Sequence, residues 1–412
     1  MSTTSEQIQK RINEAMEEIM TKLYSDPPQI PILSGKNLGH LSQARNFTSI
    51  LLVMSYIQKL KPPHKTSTNR EVYYYFITHF RSQNECDAAI LDTCRILNCD
   101  RISLGLSASP KGWYACCFCR IHIREDNAIS KVIDFDSGSM VHGLPITREW
   151  IDRASILSDV LDHGRNINTL PFSIHSDAKC ILVIEKEGIY TRLVEDRSQL
   201  PFPTILVTGK GFSDIGTRAL VFVLHRLLNI RVYGLCDCNP FGLAVLKTYY
   251  KGSTNSKRGE TLEGGLRYSV PIKWLGLRPS HIETFLNEKV SIPKECFQTL
   301  TDLDRKKIAS LMKDDDMVRD RGENDSVTID DGQDMRVADH RDHGHTGFMN
   351  ENRKQELELM QKFGWKVELE SLNWLGMDFI GEWVGGLLTA NEEEYYNKDS
   401  LDDDFVDLRL AI

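Results

Sequence analysis

Cys180-Ile181-Leu182-Val183-Ile184-Glu185 is the segment of this chain most typical of a single fold class. An unbroken apolar run of this kind is expected of a parallel strand that is buried on both faces. Two similar runs follow at residues 204–208 and 232–236, and the segments 189–193 and 215–228 between them have helical character. Strand and helix therefore alternate, which predicts an α/β domain with a parallel sheet covered on both faces.

Acidic side chains stand where two of these strands end. Glu185 follows the first run, and Asp237 follows the third, within Asp237-Cys238-Asn239-Pro240-Phe241-Gly242. The carboxyl ends of parallel strands collect ligand-binding residues, and Mg²⁺ takes one or two protein carboxylates, with water and phosphate completing its shell. The pair predicts a magnesium site, although carboxylates at strand ends are also common without a metal.

Upstream, Arg70-Glu71-Val72-Tyr73-Tyr74-Tyr75 carries candidate nucleophiles. Thr68 and Glu71 have capping-box spacing, which predicts that a helix begins here. Arg70 lies four residues before Tyr74 on the same helical face, where its guanidinium would steady a phenolate and a phosphate under attack. A tyrosine beside a cation, together with a magnesium site, is what phosphodiester transesterification requires. The alternative is a tyrosine-rich amphipathic helix whose rings fill a core.

The first 125 residues predict a helical domain with a leading helix. Residues 6–24 form an amphipathic helix that either docks on a partner or packs on its own domain, and a proline-rich linker follows. Helices are also predicted at 46–60 and 86–98, and then a hairpin whose strands, 103–107 and 113–121, join across Pro110-Lys111-Gly112. Three helices followed by a hairpin are typical of a winged-helix DNA-binding unit.

Composition divides the rest of the chain, outside the apolar strands and the N-terminal helices, into further segments. We predict an irregular connection over residues 124–179 and helices from 355 to 388 that pack on the sheet. Residues 313–350 are acidic and poor in large apolar side chains, which predicts a disordered insertion. In such a solvated loop, a metal site at its histidines is disfavoured. The predicted domains are therefore 1–37 (helix and linker for partner docking), 38–125 (winged helix), 126–179 (connection) and 180–412 (metal-binding α/β domain with the insertion).

Composition limits the class of protein. With 41% hydrophobic and 26% charged residues, the chain is typical of a soluble globular protein of two or three domains. It has no apolar run of membrane-spanning length and no signal-peptide pattern, which predicts an intracellular protein. The net charge is −8, yet basic residues predominate between 41 and 81, which allows nucleic-acid binding. Ten cysteines lack zinc-module spacing and are expected to be reduced and packed in the core.

In order along the chain, these motifs resemble the A subunit of type IIB DNA topoisomerase (topoisomerase VI) and its eukaryotic relatives, which include the meiotic protein that makes programmed DNA double-strand breaks. Arg70 to Tyr74 resembles the Arg-Asp-Ile-Tyr/Phe-Tyr motif, which assigns the nucleophile to Tyr74. Val183-Ile184-Glu185-Lys186 resembles the Toprim strand that carries the metal-binding glutamate. Residues 237–242 resemble the Asp-x-Asp-Pro-Tyr-Gly block, but Asn239 replaces its second aspartate. Further similar blocks are Val207-Thr208-Gly209-Lys210-Gly211 and Lys273-Trp274-Leu275-Gly276.

The resemblance implies a homodimeric, Mg²⁺-dependent DNA transesterase. Tyr74 and Arg70 of one protomer would act with Glu185, Asp237 and Asn239 of the other on double-stranded DNA, leaving a 5′-phosphotyrosyl link. It also implies a topoisomerase VI B-like partner, other break-forming accessory proteins and a location in the nucleus. The weakened acidic pair and the insertion favour the meiotic role. A type IIB topoisomerase component acting in strand passage, a DNA-binding scaffold without chemistry, and a Toprim nuclease or primase remain as alternatives.

Overall fold

The computed structural model describes residues 5–60, 65–99, 101, 103–107, 110–125, 131–135, 142–251, 268–288, 290, 292–313 and 348–398. The helices are α1 (Ser5–Leu23), α2 (Leu41–Leu60), α3 (Asn69–Tyr75), α4 (Gln83–Ile96), α5 (Arg148–Asp162), α6 (Glu187–Glu195), α7 (Ile215–Leu228), α8 (Pro240–Lys251), α9 (Pro279–Asn287), α10 (Asp302–Lys313), α11 (Glu351–Phe363) and α12 (Phe379–Lys398). The strands are β1 (Ile32–Leu33), β2 (Lys36–Asn37), β3 (Ser67–Thr68), β4 (Leu106–Ser107), β5 (Trp113–Cys117), β6 (Arg120–Glu125), β7 (Lys131–Asp134), β8 (Leu144–Pro145), β9 (Phe172–Ser176), β10 (Cys180–Ile184), β11 (Thr204–Thr208), β12 (Arg231–Leu235), β13 (Lys273–Gly276), β14 (Gln298–Thr299) and β15 (Trp365–Lys366).

A six-stranded sheet is the centre of the molecule. Its order is β13-β12-β10-β11-β5-β8, and the four strands from β13 to β11 are parallel to one another. Every residue of β10 and β11 is buried, as expected of strands covered on both faces by helices. The predicted α/β class and all three apolar strands are confirmed.

The N-terminal helices form a second hydrophobic cluster, which ends at Leu106. The predicted capping box at the start of α3 is confirmed, because the Thr68 hydroxyl accepts from the Glu71 amide at 3.1 Å and the Glu71 carboxylate accepts from the Thr68 amide at 2.6 Å. Cys86, Ile90 and other apolar residues of α4 pack in the same cluster. This cap fixes where α3 begins and therefore which tyrosine faces inward.

Helix α1 packs on its own domain, which is one of the two interpretations of its amphipathic pattern. Ile8, Ile12 and Ile19 are buried in the N-terminal cluster. The Arg11 guanidinium donates to the Leu97 carbonyl at 2.7 Å, which ties the helix to the end of α4. This apolar face is therefore not free to bind a partner. Exposed apolar residues lie near its C-terminal end, at Met20, Leu23 and Tyr24.

The predicted pairing of residues 103–107 with 113–121 in one hairpin is wrong, while the winged-helix unit itself remains a prediction. Strand β4 pairs in parallel with β3, whereas β5 pairs antiparallel with β11 in the central sheet, with Tyr114 opposite Val207. Four of the five β5 residues are buried, so this apolar strand fits the interior of a sheet better than a solvated wing. The central hydrophobic cluster begins at Tyr114. The domain limits remain a prediction.

The expected irregular connection over 124–179 is also wrong where the structure describes it. Helix α5 buries Trp150, Ile151, Ala154 and Leu157 in the central cluster. Strand β6 pairs antiparallel with both β7 and β9. The helical spacing of the buried α5 residues was present in the sequence, and polar residues between them masked it.

Most of the cysteines are buried and lie outside any disulfide. Cys116 and Cys119 are joined by a disulfide with a Cα–Cα distance of 5.4 Å, so the expectation that all ten are reduced is wrong for this pair. Phe118, at φ +59°, makes the turn that brings them together. The cysteines outside this disulfide are the buried Cys86, Cys94, Cys99, Cys117, Cys180, Cys236 and Cys238 and the partly buried Cys296.

The C-terminal helices pack on the central cluster as predicted, through residues such as Leu357, Ile380 and Val384. The predicted insertion and its histidines fall almost entirely within residues 314–347, which lie outside the described residues. Within the described parts of the chain, none of the helices combines the length and apolar character needed to cross a membrane.

A buried ion pair links α10, which precedes that segment, to β15, which follows it, and its loss should destabilise the fold. The Asp304 carboxylate is 1% exposed and accepts from Lys366 Nζ and the Thr301 amide, each at 2.8 Å. Breaking a buried pair costs about 3–5 kcal/mol, so Asp304→Ala should lower the free energy of unfolding by about 3 kcal/mol. Denaturant unfolding would measure this, with the exposed Asp302→Ala as control; equal losses would contradict the prediction.

The stabilisation contributed by this ion pair depends on pH. Burial alone would raise the pKa of Asp304, but hydrogen bonds from Lys366 and Thr301 outweigh burial and lower the pKa. The stabilisation is therefore fully present above the unfolded carboxyl pKa of about 3.9 and is lost as pH falls through the lower folded value.

Candidate functional site

Glu185 and Asp237 lie side by side at the carboxyl edge of the central sheet. Strands β10 and β12 pair in parallel with Ile184 opposite Leu235, so both acidic residues follow at the same edge. The Glu185 amide donates to the Leu235 carbonyl at 2.9 Å, and the Asp237 amide donates to Glu185 Oε2 at 3.0 Å. Strand β10 has β11 on one side and β12 on the other, and such a switch point is where α/β sheets bind ligands.

Asp237 is held from behind by the C-terminal part of the chain. Its carboxylate is buried, and Oδ1 accepts from the Leu369 amide at 2.9 Å. The neighbouring Cys238 and Val367 exchange backbone hydrogen bonds of 2.9 and 3.1 Å. The segment after residue 348 is therefore part of this site, which the sequence pattern did not indicate.

Asn239 supports the Asp237 loop in this arrangement. Its amide oxygen accepts from the Gly242 amide at 2.7 Å at the start of α8, and its Nδ2 lies 3.5 Å from Asp237 Oδ2. The amide oxygen, the atom that would coordinate a cation, thus already has a partner. Asn239 as a metal ligand remains a prediction.

Lys186, which was not among the predicted site residues, lies beside Asp237 and two further carboxylates. Lys186 Nζ is 3.2 Å from Asp237 Oδ2, 3.6 Å from Glu368 Oε2 and 3.4 Å from Glu370 Oε2. Lys186 was visible as the residue after Glu185. Its two glutamate partners follow about 180 residues later, and no local pattern connects them.

Burial and like charge dominate the electrostatics. Burial, reinforced by the nearby Asp237 carboxylate, raises the pKa of Glu185 to about 7. Burial also raises the pKa of Asp237, although the Leu369 amide and Lys186 oppose the change. Burial acts against the charge on Lys186, but the carboxylates of Asp237, Glu368 and Glu370 outweigh it and raise the pKa of the ammonium group. The site therefore favours added positive charge.

The donor set fits Mg²⁺. The described residues contain no group of three or more His, Cys, Asp or Glu side chains arranged for a metal. Magnesium, however, is usually bound by one or two carboxylates, with water and substrate phosphate completing its shell. Glu185 and Asp237 supply these hard oxygen ligands, and a divalent cation would offset the burial and repulsion that raise both of their pKa values.

The glycine loop between β11 and α7 makes hydrogen bonds within the protein. The Gly211 amide donates to the Glu185 carbonyl at 2.8 Å, and the Lys210 amide donates to Thr208 Oγ1 at 3.2 Å. This loop therefore positions the glutamate backbone. Two of its amides are not available to an anion.

Tyr74 is presented to solvent on α3. Its side chain is 54% exposed and contacts the ring of Tyr73 with centroids 5.3 Å apart, while Tyr73 packs against the N-terminal cluster. Tyr75 is 57% exposed, and its hydroxyl lies 3.4 Å from Lys59 Nζ. Among the described residues, Arg70 is exposed and has no hydrogen-bond or ion-pair partner. The interpretation that all three rings fill a core is wrong for Tyr74 and Tyr75.

Within one chain, the structure brings together only part of the predicted set. No hydrogen bond or ion pair of the described residues joins Arg70 or Tyr74 to Glu185, Asp237 or Asn239. Arg70 and Tyr74 lie on α3, which packs in the N-terminal cluster. Glu185 and Asp237 follow β10 and β12, which belong to the central cluster.

Comparison with known proteins matches both regions. A family model described as "Type IIB DNA topoisomerase" matches residues 45–106, which include Tyr74. A second model, which describes the Toprim domain of Spo11 and of the topoisomerase 6 A subunit, matches residues 180–328, which include Glu185, Asp237 and Asn239.

Several curated proteins are similar over much of the chain. "Meiotic recombination protein SPO11-2" of Oryza sativa subsp. japonica is 29% identical over 359 residues, covering 85% of this chain and 75% of that protein. The A subunit of DNA topoisomerase 6 of Arabidopsis thaliana is 26% identical over 342 residues, covering 83% and 65%. "Meiotic recombination protein SPO11" of Homo sapiens is 29% identical over 272 residues, covering 66% and 60%. With both of the family's domains matched in order, the chain belongs to the family formed by Spo11 and the topoisomerase 6 A subunit.

Proposed function

We propose that this protein is a DNA transesterase that initiates meiotic recombination by making double-strand breaks with 5′-phosphotyrosyl ends. One observation carries the proposal: an exposed tyrosine on a capped helix and a pair of adjacent carboxylates, Asp237 buried and Glu185 partly buried, each lie in a region matched to this family. The names of the relatives from Oryza sativa and Homo sapiens, both meiotic recombination proteins, support the meiotic role.

The reaction exchanges one phosphate ester for another. The Tyr74 hydroxyl attacks a backbone phosphorus, the new O–P bond forms, and the bond from phosphorus to the 3′ oxygen breaks. The phenol gives up its proton and the departing 3′ oxygen takes one up, so neither water nor an external energy source is consumed. The exposed Arg70, which has no partner among the described residues, is free to contact the phosphate, whose oxygens its planar fork suits.

Glu185 and Asp237 would hold Mg²⁺, and Asn239 would fix the Asp237 carboxylate or contribute to the same site. When bound, the ion would orient the phosphate and stabilise negative charge on the leaving oxygen. The backbone ties from Leu235, Leu369 and Val367 keep the two carboxylates together before DNA arrives, which reduces the cost of organising the site.

We further propose a homodimer in the nucleus in which Tyr74 of one protomer acts at the carboxylates of the other. Two supporting facts are that Tyr74 is exposed and that no contact of the described residues joins it to the carboxylates of its own chain. The proposed partners are a B-like subunit of the topoisomerase VI type and accessory break-forming proteins. Because the apolar face of α1 is internal, its exposed end at Met20 and Tyr24 is the part left for docking.

A second candidate function is that of a topoisomerase component that helps to pass one duplex through another. Similarity to the A subunit of DNA topoisomerase 6 of Arabidopsis thaliana favours it. ATP-dependent relaxation of supercoiled DNA in the presence of a B-like subunit would support this role. The third candidate, a binding scaffold without chemistry, is favoured by Asn239 alone and predicts no covalent adduct.

The decisive experiment looks for DNA covalently bound to the protein. The protein is immunoprecipitated from meiotic cells under denaturing conditions, and attached oligonucleotides are labelled at their free 3′ ends. Wild-type protein should carry label, and Tyr74→Phe should reduce it to background because the nucleophilic oxygen is gone while the ring that contacts Tyr73 is kept.

Tyr73→Phe and Tyr75→Phe are matched controls, since each removes one hydroxyl from the same helix. Both should retain label. Loss of label in Tyr75→Phe with retention in Tyr74→Phe would move the nucleophile to Tyr75, whose hydroxyl lies beside Lys59. An unlabelled wild-type protein, from cells shown to be making breaks, would support the scaffold instead.

A further inference from the structure

Lys186 lies where its ammonium group would compete with a metal ion for the Asp237 carboxylate. Its ammonium group lies 3.2 Å from Oδ2 of a carboxylate whose side chain is 4% exposed, so water cannot easily replace it there. The other Asp237 oxygen accepts from the Leu369 amide. Asp237 Oδ2 is thus shared by Lys186 and, at 3.5 Å, the Asn239 side-chain amide, so a metal ion at this oxygen would meet the lysine.

A lysine and a divalent cation cannot share this oxygen without strong repulsion. Like charges a few ångströms apart in a partly buried site repel much more than in water. Metal binding at Asp237 therefore requires the ammonium group to move. Removing the lysine altogether would leave Asp237 and Glu185 as adjacent acidic groups with less compensation, so the apo protein benefits from its presence.

Two further carboxylates are already placed to receive it. Glu368 Oε2 and Glu370 Oε2 lie 3.6 and 3.4 Å from Lys186 Nζ, and their side chains are 42% and 45% exposed. The segment that carries them is anchored by the Leu369 amide on Asp237 and by the backbone pairing of Val367 with Cys238. A small rotation of the flexible lysine side chain would exchange Asp237 for these partners.

We propose that Lys186 is the internal counter-ion of the apo site, and that Glu368 and Glu370 draw it away from Asp237 when the metal binds. This inference rests on the metal role of Glu185 and Asp237 in the proposed function. Lys186, Glu368 and Glu370 are positioning residues for the metal site. The C-terminal segment thereby tunes metal affinity, although it lies outside both family matches.

The test measures Mn²⁺ affinity of the purified full-length protein at fixed ionic strength, by the electron paramagnetic resonance signal of free Mn²⁺. Lys186→Met removes the competitor and should tighten binding roughly 10-fold, whereas the Glu368→Gln/Glu370→Gln double variant leaves the lysine on Asp237 and should weaken binding roughly 10-fold. Lys186→Arg should restore affinity towards the wild-type value. In metal-free buffer, Lys186→Met should also unfold at a lower temperature than wild type.

Lys210→Met is the matched control. Lys210 lies at the same sheet edge with the same 28% side-chain exposure, but pairs with Glu187 at 2.7 Å. A general effect of losing one positive charge would tighten Mn²⁺ binding equally in both lysine variants and would overturn the proposal. If Lys186→Met does not fold, the double glutamine variant still decides, because unchanged or tighter binding in it contradicts the exchange.

Asp237→Ala separates this inference from the proposed function. If wild type binds Mn²⁺ no better than Asp237→Ala, both the metal role and the exchange are overturned. If Asp237→Ala loses affinity but Lys186→Met binds as wild type does, only the exchange is overturned. The adduct experiment with Tyr74→Phe tests the nucleophile independently of both results.

Discussion

A mixed dimer of one Tyr74→Phe chain and one Asp237→Ala chain should form covalent DNA adducts, although neither variant forms them as a homodimer. If tyrosine and carboxylates meet across the dimer, the mixed species pairs the intact Tyr74 of one chain with the intact Asp237 of the other. Its second site carries both substitutions. With random assortment, half of the dimers are mixed and about a quarter of the wild-type number of sites survive.

The number of DNA strands that are cut gives a second readout. One intact site per mixed dimer should cut one strand, so the adducts should be protein-linked nicks and not double-strand breaks. Purified co-expressed chains, separated by two affinity tags, would be incubated with DNA and Mg²⁺, and the linked strands would be resolved on denaturing gels. Adducts no more abundant than those of the parent homodimers would contradict a site built across the dimer.

A reciprocal pairing is the control. When wild type is co-expressed with a chain that carries both Tyr74→Phe and Asp237→Ala, the mixed dimer retains no intact site if the residues meet across the interface. If they acted within one chain, the wild-type half would stay active. The two arrangements thus predict opposite results for the same set of substitutions.

The sequence predicted that Glu185 and Asp237 lie together because their positions depend on local patterns and one general rule. Cys180–Ile184 is apolar at every position, which identifies a buried parallel strand, and parallel strands bring their carboxyl ends to a common edge. Glu185 and Asp237 therefore had to be close if their strands were neighbours, and strand pairing confirms it. The capping box at Thr68 was likewise readable from a three-residue spacing.

The sequence did not predict contacts between residues that lie far apart in the chain. Trp113–Cys117 was assigned to a hairpin because a turn-like segment preceded it, but its partner strand is Thr204–Thr208. An antiparallel edge added to a parallel sheet leaves no signature in either strand alone. The contact of Lys186 with Glu370 spans 184 residues, with the acidic segment in between. Neither pairing can be inferred from periodicity, because periodicity reports a buried face and not its neighbour.

Gly242→Ala should disable the metal site through a single methyl group. A Cβ at this position would lie 2.5 Å from the Asp237 carbonyl oxygen, which is closer than packed atoms allow, and 3.2 Å from Glu185 Oε2, which is a tight contact. The Asp237 backbone cannot yield easily, because Leu369 and Val367 hold its loop from the other side. We expect the free energy of unfolding to fall by about 1–3 kcal/mol. Mn²⁺ affinity should fall by roughly 10-fold or more, as for a lost supporting contact, and adducts should fall with it.

Gly385→Ala is the control that separates loss of stability from loss of the site. Its Cβ would collide with the backbone carbonyl of Gln199, so the substitution should also destabilise the fold, but on α12 and away from the carboxylates. Denaturant unfolding and Mn²⁺ titration on both variants give the comparison. Equal stability losses with metal affinity reduced only in Gly242→Ala would establish that glycine is required there to let α8 approach the Asp237 loop. Affinity reduced equally in both would show that the metal site responds to global stability, and the local steric argument would then fail.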